Sequence, residues 1–113
     1  GDSNTTTIDV ATAISLANGT LVFTGTGDLT QGANGSITAN KLGLELGSTG
    51  SATLNNAANS VGTFAATLNN LSLMNSGSLT IGAVNPTGIT AAGDVKIVAT
   101  TLTLSEDMSA IGT

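Results

Sequence analysis

The sequence predicts an all-β chain wound into a parallel β-solenoid, a β-helix of four or five coils with uncapped ends. Three observations carry this. Stretches beginning at Ile37, Phe64 and Ile89 run through one order of apolar doublets, with starts 27 and 25 residues apart, a period at which internal repeats build solenoids. Turn residues break the chain every five to ten positions, which leaves room only for short strands. The chain is 40% hydrophobic yet 2% aromatic, and stacked Leu, Ile, Val and Ala fill a flat coil interior better than rings do.

Gly1 to Thr7 is polar and aperiodic, and is expected to be a flexible lead-in or a strand awaiting a partner; the repeat domain is expected over residues 8–113. Ile8/Val10, Ile14/Leu16, Leu21/Phe23 and Leu29 form an early, less regular set, punctuated by Asn18-Gly19 and Gly25-Thr26-Gly27. The three full repeats follow. Each opens with an apolar residue and an Ala two positions on (Ile37/Ala39, Phe64/Ala66, Ile89/Ala91). Each continues with an alternating pair (Leu42/Leu44, Leu71/Leu73, Val95/Ile97) and a Thr-apolar step (Thr53-Leu54, Thr80-Ile81, Thr103-Leu104).

Within the first repeat, Leu42 to Leu46 alternates with a period of two, the signature of a half-buried strand. Lys41 and Glu45 are spaced like a helical pair, but leucines at 42, 44 and 46 do not make a helical stripe. The repeat also argues against a sandwich or barrel, because only in a solenoid does each strand lie on its counterpart one coil away. Leu44, Leu73 and Ile97 are expected to be such counterparts. At about 4.8 Å per coil the stack is expected to be a short rod about 20 Å long. Ser105-Glu106-Asp107 has the residues of a helix start, but nothing sustains it, and a polar corner leading to Ile111 is expected.

Charge excludes several function classes. Seven carboxylates face only Lys41 and Lys96, for a net charge of −5, and charged residues are 8% of the chain. With no Arg and two separated lysines there is no basic patch for nucleic acid or anionic lipid. No apolar run reaches the length of a membrane-spanning helix, and none follows a basic leader. The chain begins with Gly1 rather than Met, so processing or excision from a longer chain is expected. Cys is absent, which leaves the redox compartment open; the Ser, Thr, Asn and Gly content points outward, to an extracellular or cell-surface setting.

The acids are Asp2, Asp9, Asp28, Glu45, Asp94, Glu106 and Asp107. Polysaccharide-cutting β-helices cluster such groups, usually beside Lys, Arg or His, so Asp94, Glu106 and Glu45 are the candidates for a carbohydrate-active alternative. Glu106 and Asp107 are adjacent and would face opposite ways on a strand, and Asp94 and Lys96 suit a plain surface ion pair. No catalytic, cofactor or metal residue is expected. The calcium-binding nonapeptide and the Asp-x-Asp-x-Asp-Gly loop are absent, and zinc has no Cys or His ligand. The Thr-x-Thr steps at Thr24/Thr26 and Thr101/Thr103 do not continue through every repeat, as an ice-binding face requires. Four Asn-x-Ser/Thr sequons, at Asn4, Asn18, Asn34 and Asn70, match what 11 Asn in so hydroxyl-rich a chain give by chance. A pilin-like β-sandwich remains a further alternative, with Asn18-Gly19 and Asn34-Gly35 as hairpin turns.

The run Ser51 to Thr63, with Ser76 to Val84, Gly88 to Val95 and Leu102 to Leu104, resembles repeats of filamentous-haemagglutinin-like and autotransporter-type bacterial surface proteins. That resemblance implies a right-handed parallel β-helix, exported across the envelope and belonging to a long adhesin or matrix protein, with no catalytic residues to carry over. The expected function is therefore a non-catalytic structural and adhesive module. It is expected to stack head to tail into a filament or to form part of a longer array, with host or cell-surface glycans as further partners. Uncapped coils expose unpaired strand backbone and apolar cross-section, so contacts at the two ends matter most.

Overall fold

Every strand pairing among the described residues is parallel. The computed structural model describes residues 7–25, 27–47, 49–84, 88–106 and 108–110, and within them lie twelve strands and no helix. They are β1 (Thr7–Val10), β2 (Ile14–Thr24), β3 (Asp28–Gln31), β4 (Ile37–Glu45), β5 (Ala52–Leu54), β6 (Ser60–Leu68), β7 (Leu71–Met74), β8 (Ser78–Ile81), β9 (Ile89–Ala91), β10 (Val95–Val98), β11 (Thr101–Leu104) and β12 (Met108–Ala110). One sheet has the order β1-β3-β5-β7-β10; the other runs β11-β8-β6-β4-β2, with β9 joined to both β6 and β12. The chain alternates between the sheets as it advances, which makes a β-solenoid of about four turns. Its extents of 29 × 28 × 22 Å are those of a squat body rather than of an elongated rod.

Register sets apolar residues on apolar residues, large on small as well as large on large. In the first sheet Leu29 pairs with Ala52, Ala52 with Leu71 and Leu71 with Val95, so coil lengths run from 19 residues (Ala52 to Leu71) to 24 (Leu71 to Val95). In the second, Leu21, Leu42, Phe64, Ile81 and Leu104 form one column. Leu42, Phe64 and Ile81 are fully buried. Each such side chain contributes on the order of 1.5–3 kcal/mol, and the interior is continuous from Val10 to Ala91.

Two repeat correspondences hold in the structure: Leu71/Leu73 lies under Val95/Ile97, and Thr80-Ile81 under Thr103-Leu104. The first repeat is corrected. Leu42/Leu44 pairs with Phe64/Ala66 on the second sheet, whereas Leu71/Leu73 lies on the first, so Leu44 is the counterpart of Ala66 and not of Leu73. Thr53-Leu54 likewise stacks on Ser72-Leu73. Ala66 pairs with Ile89, two residues from the expected match, a slip that keeps the same face inward.

The β-sandwich alternative is overturned. Asn18-Gly19 lies inside β2, where the register with β4 jumps between Leu16 and Thr20; it is a bulge in a parallel strand, not a hairpin turn. Asn34-Gly35 joins β3 to β4, which belong to different sheets. Gly35 is there for space, since a Cβ would stand 1.8 Å from the Val10 carbonyl oxygen. Ser105 and Glu106 form a bend, in line with the expected polar corner; Asp107 and Ile111 lie outside the described residues. Of the expected lead-in, only Thr7 is described, and it opens β1.

Candidate functional site

Immediately before the first inward residue of β3, β5, β7 and β10 stands a small side chain with an oxygen acceptor: Asp28, Ser51, Asn70 and Asp94. They form a ladder along one corner. Asp28 Oδ1 accepts the Ser51 N–H at 3.0 Å, Ser51 Oγ accepts the Asn70 N–H at 3.3 Å, and Asn70 Oδ1 accepts the Asp94 N–H at 2.8 Å. At each step the backbone answers in reverse. The N–H groups of Leu29, Ala52 and Leu71 donate to the carbonyls of Ser51, Asn70 and Asp94 at 2.8–2.9 Å. A turn of solenoid leaves N–H groups that no strand ladder reaches, and these side chains take them up.

The opposite corner is lined from within. Asn59 and Asn75 are 1% and 4% exposed. Asn59 Oδ1 accepts the Ile37 N–H at 2.9 Å, and its Nδ2 donates to the Leu54 and Met74 carbonyls at 3.2 and 3.0 Å. The Gln31 and Asn59 amides also pair with each other in both directions. Asn75 repeats the device one coil on, accepting the Val61 N–H at 2.8 Å. Among the described residues no buried side-chain nitrogen or oxygen lacks a partner. Neither ladder was read from the sequence, although the signal was present: Asp28, Ser51, Asn70 and Asp94 each stand immediately before the first inward residue of a strand.

The two ends of the stack are where apolar surface meets solvent. On the last coil Val98, Leu102, Leu104 and Met108 are 36–55% exposed, and on the first Leu16 is 40% exposed. Leu102 pairs with Leu79 and Leu104 with Ile81, both fully buried. The same columns are thus covered inside the stack and bare at its end. Among the described residues β10 and β11 are edge strands, with backbone groups on one side left for a further strand.

The chemistry-bearing candidates are not brought together. Glu45 ends β4 in the second coil, whereas Asp94 opens the fifth coil on the first sheet and Glu106 follows β11 on the second. Two strand steps, about 10 Å of axial rise, therefore separate Glu45 from the Asp94 corner, and three, about 14 Å, separate it from Glu106. Asp94 and Lys96 are both exposed and flank half-buried Val95. Asp9 and Asp28 share the outer side of the first sheet, but Asp9 Oδ1 accepts the Thr30 hydroxyl at 2.8 Å and Asp28 is committed to Ser51. No acidic cluster able to hold a metal occurs among the described residues. Thr101/Thr103 stacks on Ser78/Thr80, so the Thr-x-Thr step does not repeat in the coil beneath; Thr26 lies outside the described residues. Asn34 and Asn70 are exposed, and Asn4 lies outside the described residues.

Two shallow, open grooves mark the sides. One of about 270 Å³ lies among Gln31, Asn55 and Asn56, the other of about 400 Å³ among Thr38, Asn40, Ser60 and Ser78. Neither has an aromatic ring, since Phe23 and Phe64 are in the core. Comparison with known proteins finds no family model, no curated protein and no solved structure that matches the chain.

Proposed function

We propose that the chain is a structural β-solenoid module that works by end-to-end stacking, as a self-associating subunit or a section of a surface adhesin of the filamentous-haemagglutinin type. In this reading it is exported, displayed at the cell surface and not catalytic. The carrying observation is the last coil: Leu102 and Leu104 are 42% and 55% exposed on β11, whose outer edge pairs with no strand among the described residues, while Leu79 and Ile81 beneath them are fully buried. Support comes also from the sides of the stack, which among the described residues are covered largely by uncharged polar side chains, with the two grooves shallow and open. A glycan groove is the weaker candidate for the working contact, because neither groove offers a ring for a sugar to stack on.

Sedimentation velocity over a range of chain concentrations tests the proposal. The chain is expected to associate as concentration rises, and Leu104→Asp, which puts a charge on the end face, is expected to hold it monomeric. A wild-type chain that stays a single species at high concentration would overturn the reading.

A further inference from the structure

We infer that the occupant of the last coil is the first coil of a second copy of this chain, docked with the internal register continued, so that Lys96 of one copy meets Asp9 of the next. This rests on the self-association reading and specifies its junction. The outward positions of the first sheet form a column Asp9, Thr30, Thr53, Ser72 and Lys96. Only its two ends are charged, with opposite signs, and both end residues are exposed. One further parallel step brings them side by side, at the separation of neighbouring strands.

Two independent features fit the same register. The corner ladder ends at Asp94, whose three predecessors Asp28, Ser51 and Asn70 each accept an N–H from the coil above. The position that continues it is Thr7, which pairs with Asp28 inside the chain, so the Thr7 N–H of the incoming copy reaches the Asp94 carboxylate. On the second sheet the exposed Leu104 meets the half-buried Leu21, since both belong to the column through Leu42, Phe64 and Ile81.

The charges also reject the nearest wrong register. A one-residue slip turns apolar faces outward. A two-residue slip that carries Asp9 toward Asp94 keeps them inward but sets two like charges together, and the opposite slip sets Asp9 beside the apolar Val98 and leaves Lys96 without its partner. Charged residues on edge strands commonly block indiscriminate pairing; here the block admits one complementary partner.

Charge reversal tests the junction. The readout is the free monomer concentration left after assembly at low salt, with circular dichroism confirming that each variant is folded. Lys96→Asp is expected to raise it roughly three- to tenfold, the range for gaining a repulsion and losing an attraction between exposed groups. The double variant Lys96→Asp/Asp9→Lys is expected to return it to within about twofold of wild type. Carbodiimide treatment of assembled wild-type protein is expected to give a crosslinked peptide joining Lys96 to Asp9. An assembling wild type with Lys96→Asp unchanged, or with no recovery in the double variant, overturns this register and leaves self-association standing. A wild type that never assembles overturns self-association itself.

Discussion

The side-chain amide of Asn75 pairs with the backbone of Val61 as another strand would. Its Oδ1 accepts the Val61 N–H at 2.8 Å and its Nδ2 donates to the Val61 carbonyl at 3.1 Å. A carboxamide has the donor and acceptor of a peptide unit, and β8 does not begin until Ser78. Asn75 therefore extends the ladder over the corner where backbone alone falls short.

Asn75→Ala is expected to lower the unfolding free energy by about 2–4 kcal/mol, because both buried Val61 groups lose their partner. Asn75→Asp keeps the shape but replaces donors with a carboxylate facing the Val61, Gly77 and Ser78 carbonyls, and is expected to be no milder. Urea unfolding followed by circular dichroism measures both.

Asn55 provides a contrast within the same type of residue. It is exposed, and its Oδ1 accepts the Ser72 hydroxyl at 2.8 Å, so Asn55→Ala is expected to cost under about 1 kcal/mol. Asn59→Ala, by comparison, strands the Ile37 N–H and the Leu54 and Met74 carbonyls and is expected to cost at least about 2 kcal/mol. Equal losses at Asn55 and Asn59 would contradict the burial argument.

Spacing between coils makes a separate prediction. Gly35→Ala would drive a Cβ to 1.8 Å from the Val10 carbonyl oxygen, while at Gly77 a Cβ meets nothing within 4 Å. Gly35→Ala is expected to destabilise by about 3 kcal/mol or more, since coils must separate. Gly77→Ala is expected to change stability by less than about 1 kcal/mol. Thermal melts of the two variants side by side show the difference.

Core and end face are expected to separate in their readouts. Phe64 is fully buried and Leu104 is 55% exposed, though they belong to one column. Phe64→Ala is expected to cost about 3–5 kcal/mol of stability. Leu104→Ser is expected to cost well under half of that and to act instead on association, as seen by sedimentation.

Much of the fold was legible because stacking makes counterparts alike. Leu71/Leu73 and Val95/Ile97 announced one another, as did Thr80-Ile81 and Thr103-Leu104. Leu42/Leu44 misled because the same doublet serves both sheets. The coils also differ in length: β6 runs unbroken over Ser60–Leu68, while the next coil divides that span between β8 and β9. A fixed period cannot follow such changes. The corner residues escaped for a different reason. Asn59 and Asn75 look like ordinary turn asparagines until register shows whose N–H each one reaches, and register is a property of pairs of coils rather than of any one segment.

The two corners are bonded in opposite senses. On one, Asp28, Ser51 and Asn70 accept from the coil above; on the other, Asn59 and Asn75 accept from the coil below. A turn lifted from either end therefore strips partners from the one it leaves, at one seam an acceptor and at the other a donor. Unravelling meets resistance from both directions, and the stack behaves less like a spring opened coil by coil than like a laced boot, whose crossed ties must all loosen before any layer comes free.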